Sequence, residues 1–93
     1  NFLKNKWNEP IYSSIIETIS FIKNSKNISI NEIKKSYLNI LNKKEIKIGD
    51  GMQSLRLCLI KTPIGPDIFK IIKILGIKES IDRINKNLTE ING

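Results

Sequence analysis

Ninety-three residues, one cysteine, no histidine and a formal net charge of +7 bound what this chain can be. That length supports one core that buries about 60 to 65% of the unfolded surface without staples; the lone Cys58 cannot close an internal disulfide, and the lack of histidine removes the commonest zinc ligand and general base. No apolar run approaches the ~18 residues of a membrane span, and a start at Asn1 without a basic-then-apolar leader reads as an excised cytosolic piece, residues 1–93 forming a single cytoplasmic domain with no cofactor of its own.

Helical periodicity runs through almost the whole chain. Tyr12, Ile15, Ile16, Ile19 and Ile22 recur at steps of three and four and predict a first helix opening after Pro10, broken by Asn24, Ser25 and Asn27. Ser29 followed by Glu32 has capping-box spacing, so a second helix begins there, with Ile30, Ile33, Tyr37, Ile40 and Leu41 as its buried stripe and Lys43 and Lys44 at its negative end. Gly49, Asp50 and Gly51 form the next loop, and Asp50 with Gln53 has N-cap spacing for a short third helix from about Gly51 to Ile60. In that helix Met52, Leu55 and Leu59 face the core, and Arg56 sits at its edge. The alternation of Leu55, Leu57 and Leu59 with Arg56, Cys58 and Ile60 suits a strand as well.

After a loop from Lys61 to Gly65, Pro66 takes the first position of a fourth helix and Asp67 complements its positive end. Ile68, Phe69, Ile71, Ile72, Ile74 and Leu75 make this helix so apolar that it is expected at the centre of the fold, with Gly76 closing it as a left-handed residue. Ile77, Ile81, Ile84, Leu88 and Ile91 mark a last helix, with Glu79, Asp82, Arg83 and Lys86 outside. The expectation is an all-α fold, a compact bundle of about five helices.

The basic balance fits a phosphate-bearing partner, although a chain this rich in Lys, Asn and Ile also carries the mark of an AT-rich genome. Of the sixteen basic residues only Arg56 and Arg83 are arginine. The planar fork of arginine grips base edges and phosphates in ways an ammonium cannot. Each feature has a plainer reading. Arg56 can pair with Asp50 or Asp67, Arg83 with Glu79 one turn away, and Gly65-Pro66 can be only a helix start. Ile68 reads as core first and base-packing second, and Cys58 as a small buried hydrophobe. Phe2 and Trp7 suit docking against a neighbouring domain, and Lys34, Lys35, Lys43, Lys44 and Lys47 suit solvated faces.

From Ile48 to Ile84 the chain reads G-D-G-M-Q-S-L-R-L-C-L-I-K, then G-P-D-I-F-K-I-I-K-I-L-G-I-K-E-S-I-D-R-I after a short gap. This resembles the C-terminal segment of bacterial glutamyl-tRNA synthetase, with the pattern G-x-x-M-Q-P-L-R-x-A-L-T-G and G-P-x-L-F-E-I-x-x-L-L-G-K-E-x-x-x-x-R-I. Ile30 to Gly49 resembles, more weakly, the helix and loop preceding that motif. Three departures stand out: Ser54 replaces a proline, Cys58 an alanine, and Ile60-Lys61 a Thr-Gly pair.

The resemblance implies the helical anticodon-binding cage of a class I synthetase, in which Arg56 contacts anticodon bases and Gly65, Pro66 and Ile68 line the same pocket. Lys61, Lys47 and Lys44 then become candidate phosphate contacts. It also implies an ATP- and magnesium-dependent parent enzyme, a monomer whose Rossmann-type catalytic domain lies upstream in the same chain, with tRNA as partner and no membrane. The HIGH-like motif of that domain cannot occur in a chain without histidine, so no active site is expected within these residues. A helical protein-interaction module with a solubilising lysine surface is the runner-up.

Overall fold

The structure, a computed structural model, describes residues 9–62 and 64–92. It contains five α-helices and, among the described residues, no strand, which is the all-α class expected. Phe2, Trp7 and the side chain of Ile91 lie outside the described residues. The chain divides into two compact units, Asn1–Gly51 and Met52–Gly93.

In the first unit, α1 (Glu9–Lys23) packs against α2 (Ile30–Lys43). The buried stripe of α1 is Ile11, Ser14, Ile15, Thr18 and Ile19, whereas Tyr12, Ile16 and Ile22 are only half-buried, so the helix is rotated from the purely apolar stripe predicted. Two small hydroxyls make that rotation affordable. Ser14 Oγ donates to the Ile11 carbonyl at 2.6 Å and Thr18 Oγ1 to the Ser14 carbonyl at 2.9 Å, so neither enters the core unsatisfied.

The capping box at the start of α2 is complete. Glu32 N–H donates to Ser29 Oγ at 3.1 Å and Ser29 N–H to Glu32 Oε1 at 3.0 Å. These backbone and side-chain bonds from Ser29 hold the Glu32 carboxyl below its ordinary range. At the other end, Glu45 N–H reaches the Asn42 carbonyl at 3.1 Å and Ile46 N–H the Leu41 carbonyl at 2.9 Å, the paired bonds of a Schellman turn. Its left-handed position is held by Glu45 at φ 56°, so no glycine marks this helix end in the sequence.

Helix α3 spans Ile48–Ile60, opening three residues before the predicted start. Gly51 N–H is already bonded to the Lys47 carbonyl at 3.0 Å, so Gly49, Asp50 and Gly51 form a helical turn rather than a loop. Asp50 lies inside that turn instead of capping it. The glycine at 51 answers a steric need: a Cβ there would lie 2.5 Å from Leu41 Cδ1. Tyr37, fully buried, donates its hydroxyl proton to the Gly51 carbonyl at 2.6 Å on the same approach.

In the second unit Ser54, Leu55, Cys58 and Leu59 are buried. Their spacing is helical, which resolves the strand alternative, and Met52 is only half-buried. Helix α4 (Ile68–Leu75) starts two residues beyond Pro66, because Asp67 is its N-cap and accepts the Phe69 N–H at 2.9 Å. It is not the central element expected: Ile68, Phe69 and Ile72 are buried, while Ile74 is 83% exposed. Eight residues make little more than two turns, so one face alone meets the core. Gly76 does end α4, at φ 91° and ψ 153°, in the positive-φ region expected of a closing glycine, although its ψ lies outside the helical range. Helix α5 (Ile77–Asn92) follows at once and packs on α4, burying Ile84 and Leu88 as predicted, with Ser80 and Asn87 beside them.

Gly51→Ala should destabilise the protein by about 1–3 kcal/mol, read from the urea midpoint, because the added methyl would force the fully buried Leu41 side chain to shift within the core. The same change at Gly49, where a Cβ would meet nothing within 4 Å, should cost no stability.

Candidate nucleic-acid interface

Arg56 is positioned by the buried residues on either side of it. Leu55, Cys58 and Leu59 are between 0% and 5% exposed and fix the rotation of α3, which leaves the Arg56 side chain half-buried at the border of the core. Its Nε donates to the Pro66 carbonyl at 3.0 Å. That bond joins the two halves of the motif across the intervening loop. Neither carboxylate weighed for Arg56 is its hydrogen-bond partner here; the bond goes to a backbone oxygen and consumes one of five N–H donors.

The loop itself is short and locally tied. Lys61, the first residue beyond α3, has φ 63° and bonds its N–H to the Leu57 carbonyl at 3.0 Å. This is the left-handed position at which the resembling pattern carries glycine, and lysine occupies it against a steric penalty of about 1 kcal/mol. Thr62 Oγ1 and the Ile64 backbone bond one another at 3.3 Å. Gly65 and Pro66 are exposed and Asp67 anchors the start of α4. A Cβ on Gly65 would come 3.4 Å from Ile60 Cδ1, so this stretch lies directly over the end of α3.

The predicted site residues divide accordingly. Arg56 and Pro66 meet, with Gly65 next to them on the surface. Ile68 is 1% exposed and is therefore a core residue and not part of the surface. Lys61 Nζ stands 3.7 Å from Glu90 Oε2. Lys44 and Lys47 belong to the first unit, where Lys44 Nζ is held by Glu17 Oε2 at 2.7 Å. The Lys44 bond, with a second from Ser13, keeps the Glu17 carboxyl below its ordinary range. Arg83 bonds Glu79 through Nε at 2.7 Å, the helix-surface pair expected.

One structural residue was missed. Asn87 is 6% exposed and donates its side-chain amide to the Cys58 carbonyl, tying α5 to α3 beneath the loop. The signal was present: Asn87 interrupts the stripe of Ile84 and Leu88 at a position a surface polar residue would not take. Cys58 itself is fully buried, and desolvation pushes its thiol up to about 12 from 9.0. It is packing, not a nucleophile. Among the described residues no group of three or more Cys, Asp or Glu could hold a metal ion, and no helix is long and apolar enough to cross a membrane.

An arginine clamped to a turn, on an all-α scaffold, is a device for holding planar donors in place. The chain belongs to the family described as the anticodon-binding domain, which it matches over residues 1–88. Among curated relatives it is similar to the glutamate–tRNA ligase of Flavobacterium johnsoniae, 32% identical over 85 residues that cover 91% of this chain and 17% of the relative. The glutamate–tRNA ligase of Amoebophilus asiaticus is 27% identical over 86 residues, covering 92% and 17%. That of Cytophaga hutchinsonii is 44% identical over 45 residues, covering 48% and 9%. The chain thus spans less than a fifth of the length of these relatives. No solved structure matches it.

Lys61→Gly should raise stability by about 0.5–1 kcal/mol, since it relieves the left-handed strain and gives up only a long, exposed ion pair. Equilibrium denaturation checks this. For Cys58 the sign follows from the raised pKa: below pH 9 both states hold the proton, and between 9.0 and about 12 only the unfolded chain releases it. Stability should therefore fall as pH rises through that window, and Cys58→Ala should remove this part of the alkaline slope. Alkylation of the native thiol at pH 8 should proceed only through unfolding.

Proposed function

We propose that residues 1–93 are the C-terminal anticodon-binding part of a glutamate–tRNA ligase and read the anticodon loop of its tRNA. The observation that carries this reading is the hydrogen bond from Arg56 Nε to the Pro66 carbonyl. It fixes the guanidinium plane and leaves the terminal amino groups without a further partner among the described residues. A fixed guanidinium plane stacks on an unpaired base and offers donors to its edge, while the exposed backbone at Gly65 and Pro66 accepts close approach. Ile68, buried two residues beyond Pro66, would line the pocket only from inside the core. Lys47, exposed in the first unit, is a candidate for a backbone phosphate; Lys44 would first have to leave Glu17.

The job of such a site is discrimination. A wrong base leaves desolvated donors unmatched, at about 1–3 kcal/mol for each, which is roughly a 5- to 150-fold loss of affinity. The parent would be a cytoplasmic monomer whose upstream domain binds ATP and magnesium and forms the glutamyl ester. The chain's part in that reaction would be recognition of the tRNA, with the chemistry carried by the upstream domain.

Titration with the anticodon stem-loop of glutamate tRNA and with that of an unrelated tRNA, at two salt concentrations, tests the assignment. Arg56→Lys should weaken cognate binding by about tenfold or more and shrink the preference for the cognate loop, because an ammonium cannot keep the Pro66 bond and present a plane as well. Unchanged affinity and preference in Arg56→Lys would remove the role assigned to this residue. Salt-independent association with a protein, and none with RNA, would favour the interaction-module reading.

A further inference from the structure

Next to the reading loop lies a cleft of about 260 Å³ lined by Leu59, Ile60, Lys61, Arg83, Lys86 and Asn87. At about 30 Å³ per water it has room for a phosphate group with several waters. Three of its six lining residues are cations and none is a carboxylate. We infer that this cleft is a seat for one phosphate of the RNA backbone, with Lys61, Arg83 and Lys86 as its donors. The inference rests on the reading of this chain as an RNA-binding domain, and not on which bases Arg56 touches.

The three cations stand in different states of readiness. Arg83 gives its Nε to Glu79 at 2.7 Å, which fixes the guanidinium and leaves its terminal amino groups for an anion. Lys86 is exposed and has no partner among the described residues. Lys61 is only loosely held, 3.7 Å from Glu90, with both side chains more than half exposed, so an incoming phosphate displaces a weak pair. Asn87 is committed to the Cys58 carbonyl and serves as a wall that joins α3 to α5 under the cleft.

Two features connect this place to the loop above it. Ile60 lines the cleft and also lies 3.4 Å from where a Cβ on Gly65 would be, so a strand of RNA at the Gly65-Pro66 turn passes within reach of it. Lys61 owes its position to the left-handed turn at φ 63°, where glycine would leave the cleft one cation short. The plain surface ion pair at Arg83 thereby acquires a use: Glu79 orients the arginine that it appeared only to neutralise.

The test measures how the affinity of the 93-residue chain for an anticodon stem-loop depends on salt. Each loop phosphate contact contributes about 0.7 to the slope of log K against log [salt]. The double variant R83Q/K86Q should lower the slope by about that amount and leave the preference between stem-loops unchanged. K73Q/K78Q removes the same charge from exposed positions outside the cleft and should change the slope by much less. Helix content by circular dichroism confirms that each variant is folded, and Lys86→Gln alone, at an exposed helical position, carries the test if Arg83→Gln loosens the fold.

Equal effects of the two double variants, or no effect of R83Q/K86Q, would overturn the seat in favour of a diffuse field. Saturable shifts of the Arg83 Nε–H on titration with inorganic phosphate, without any change in the RNA slope, would assign it to a free anion and overturn the RNA assignment. Loss of stem-loop preference in the wild type with the slope effect intact would remove the anticodon reading and leave the seat standing. No RNA binding at all would remove both.

Discussion

The bond between Arg56 Nε and the Pro66 carbonyl is the constraint on which the candidate site depends. It spans ten residues, from the middle of α3 to the approach of α4, and fixes a side chain and a turn with one contact. Neither partner could be placed alone. Without the carbonyl the guanidinium would sample the rotamers open to a half-buried arginine; without the arginine the turn would be fixed from one side only, by the Asp67 cap. A backbone acceptor serves better than a carboxylate here. It orients the fork and leaves its charge unneutralised.

The second unit is built to hold that contact in place. Asn87 satisfies the Cys58 carbonyl two residues beyond Arg56, Asp67 caps α4 at the first residue after Pro66, and Lys61 turns the chain out of α3 in a left-handed conformation. Each is a polar device set against an apolar core of Leu55, Leu59, Ile68, Phe69, Ile84 and Leu88. The same turn at Lys61 lines the basic cleft, so a departure from the family pattern in the loop and the gain of a cation at the surface are one event.

What could be read beforehand follows the range of the physics involved. The capping box of Ser29 and Glu32, the stripe of Ile33, Tyr37 and Leu41, and the Glu79–Arg83 pair are set by residues three to eight apart, and all were legible. The rotation of α1 was not, because the burial of Ser14 and Thr18 depends on hydroxyls bonding to their own helix and not on hydrophobicity. The start of α3 was misplaced for a similar reason. Gly49 and Gly51 look like loop residues, yet Gly51 is a helical contact point whose missing side chain makes room for Leu41.

The sequence by itself determined the all-α class, the approximate helices, the lack of histidine chemistry and the ordered motif around Arg56 and Gly65-Pro66. All of these follow from residue type and short-range spacing, to which periodicity and capping respond directly. Only the tertiary structure decided that Arg56 is held by a carbonyl and not by Asp50 or Asp67, and that Lys61, Arg83 and Lys86 share one cleft. The bond joins residues ten positions apart, and Lys61 stands 22 positions from Arg83 and 25 from Lys86. Their geometry is set by which face of each helix is buried, and no local pattern carries that information.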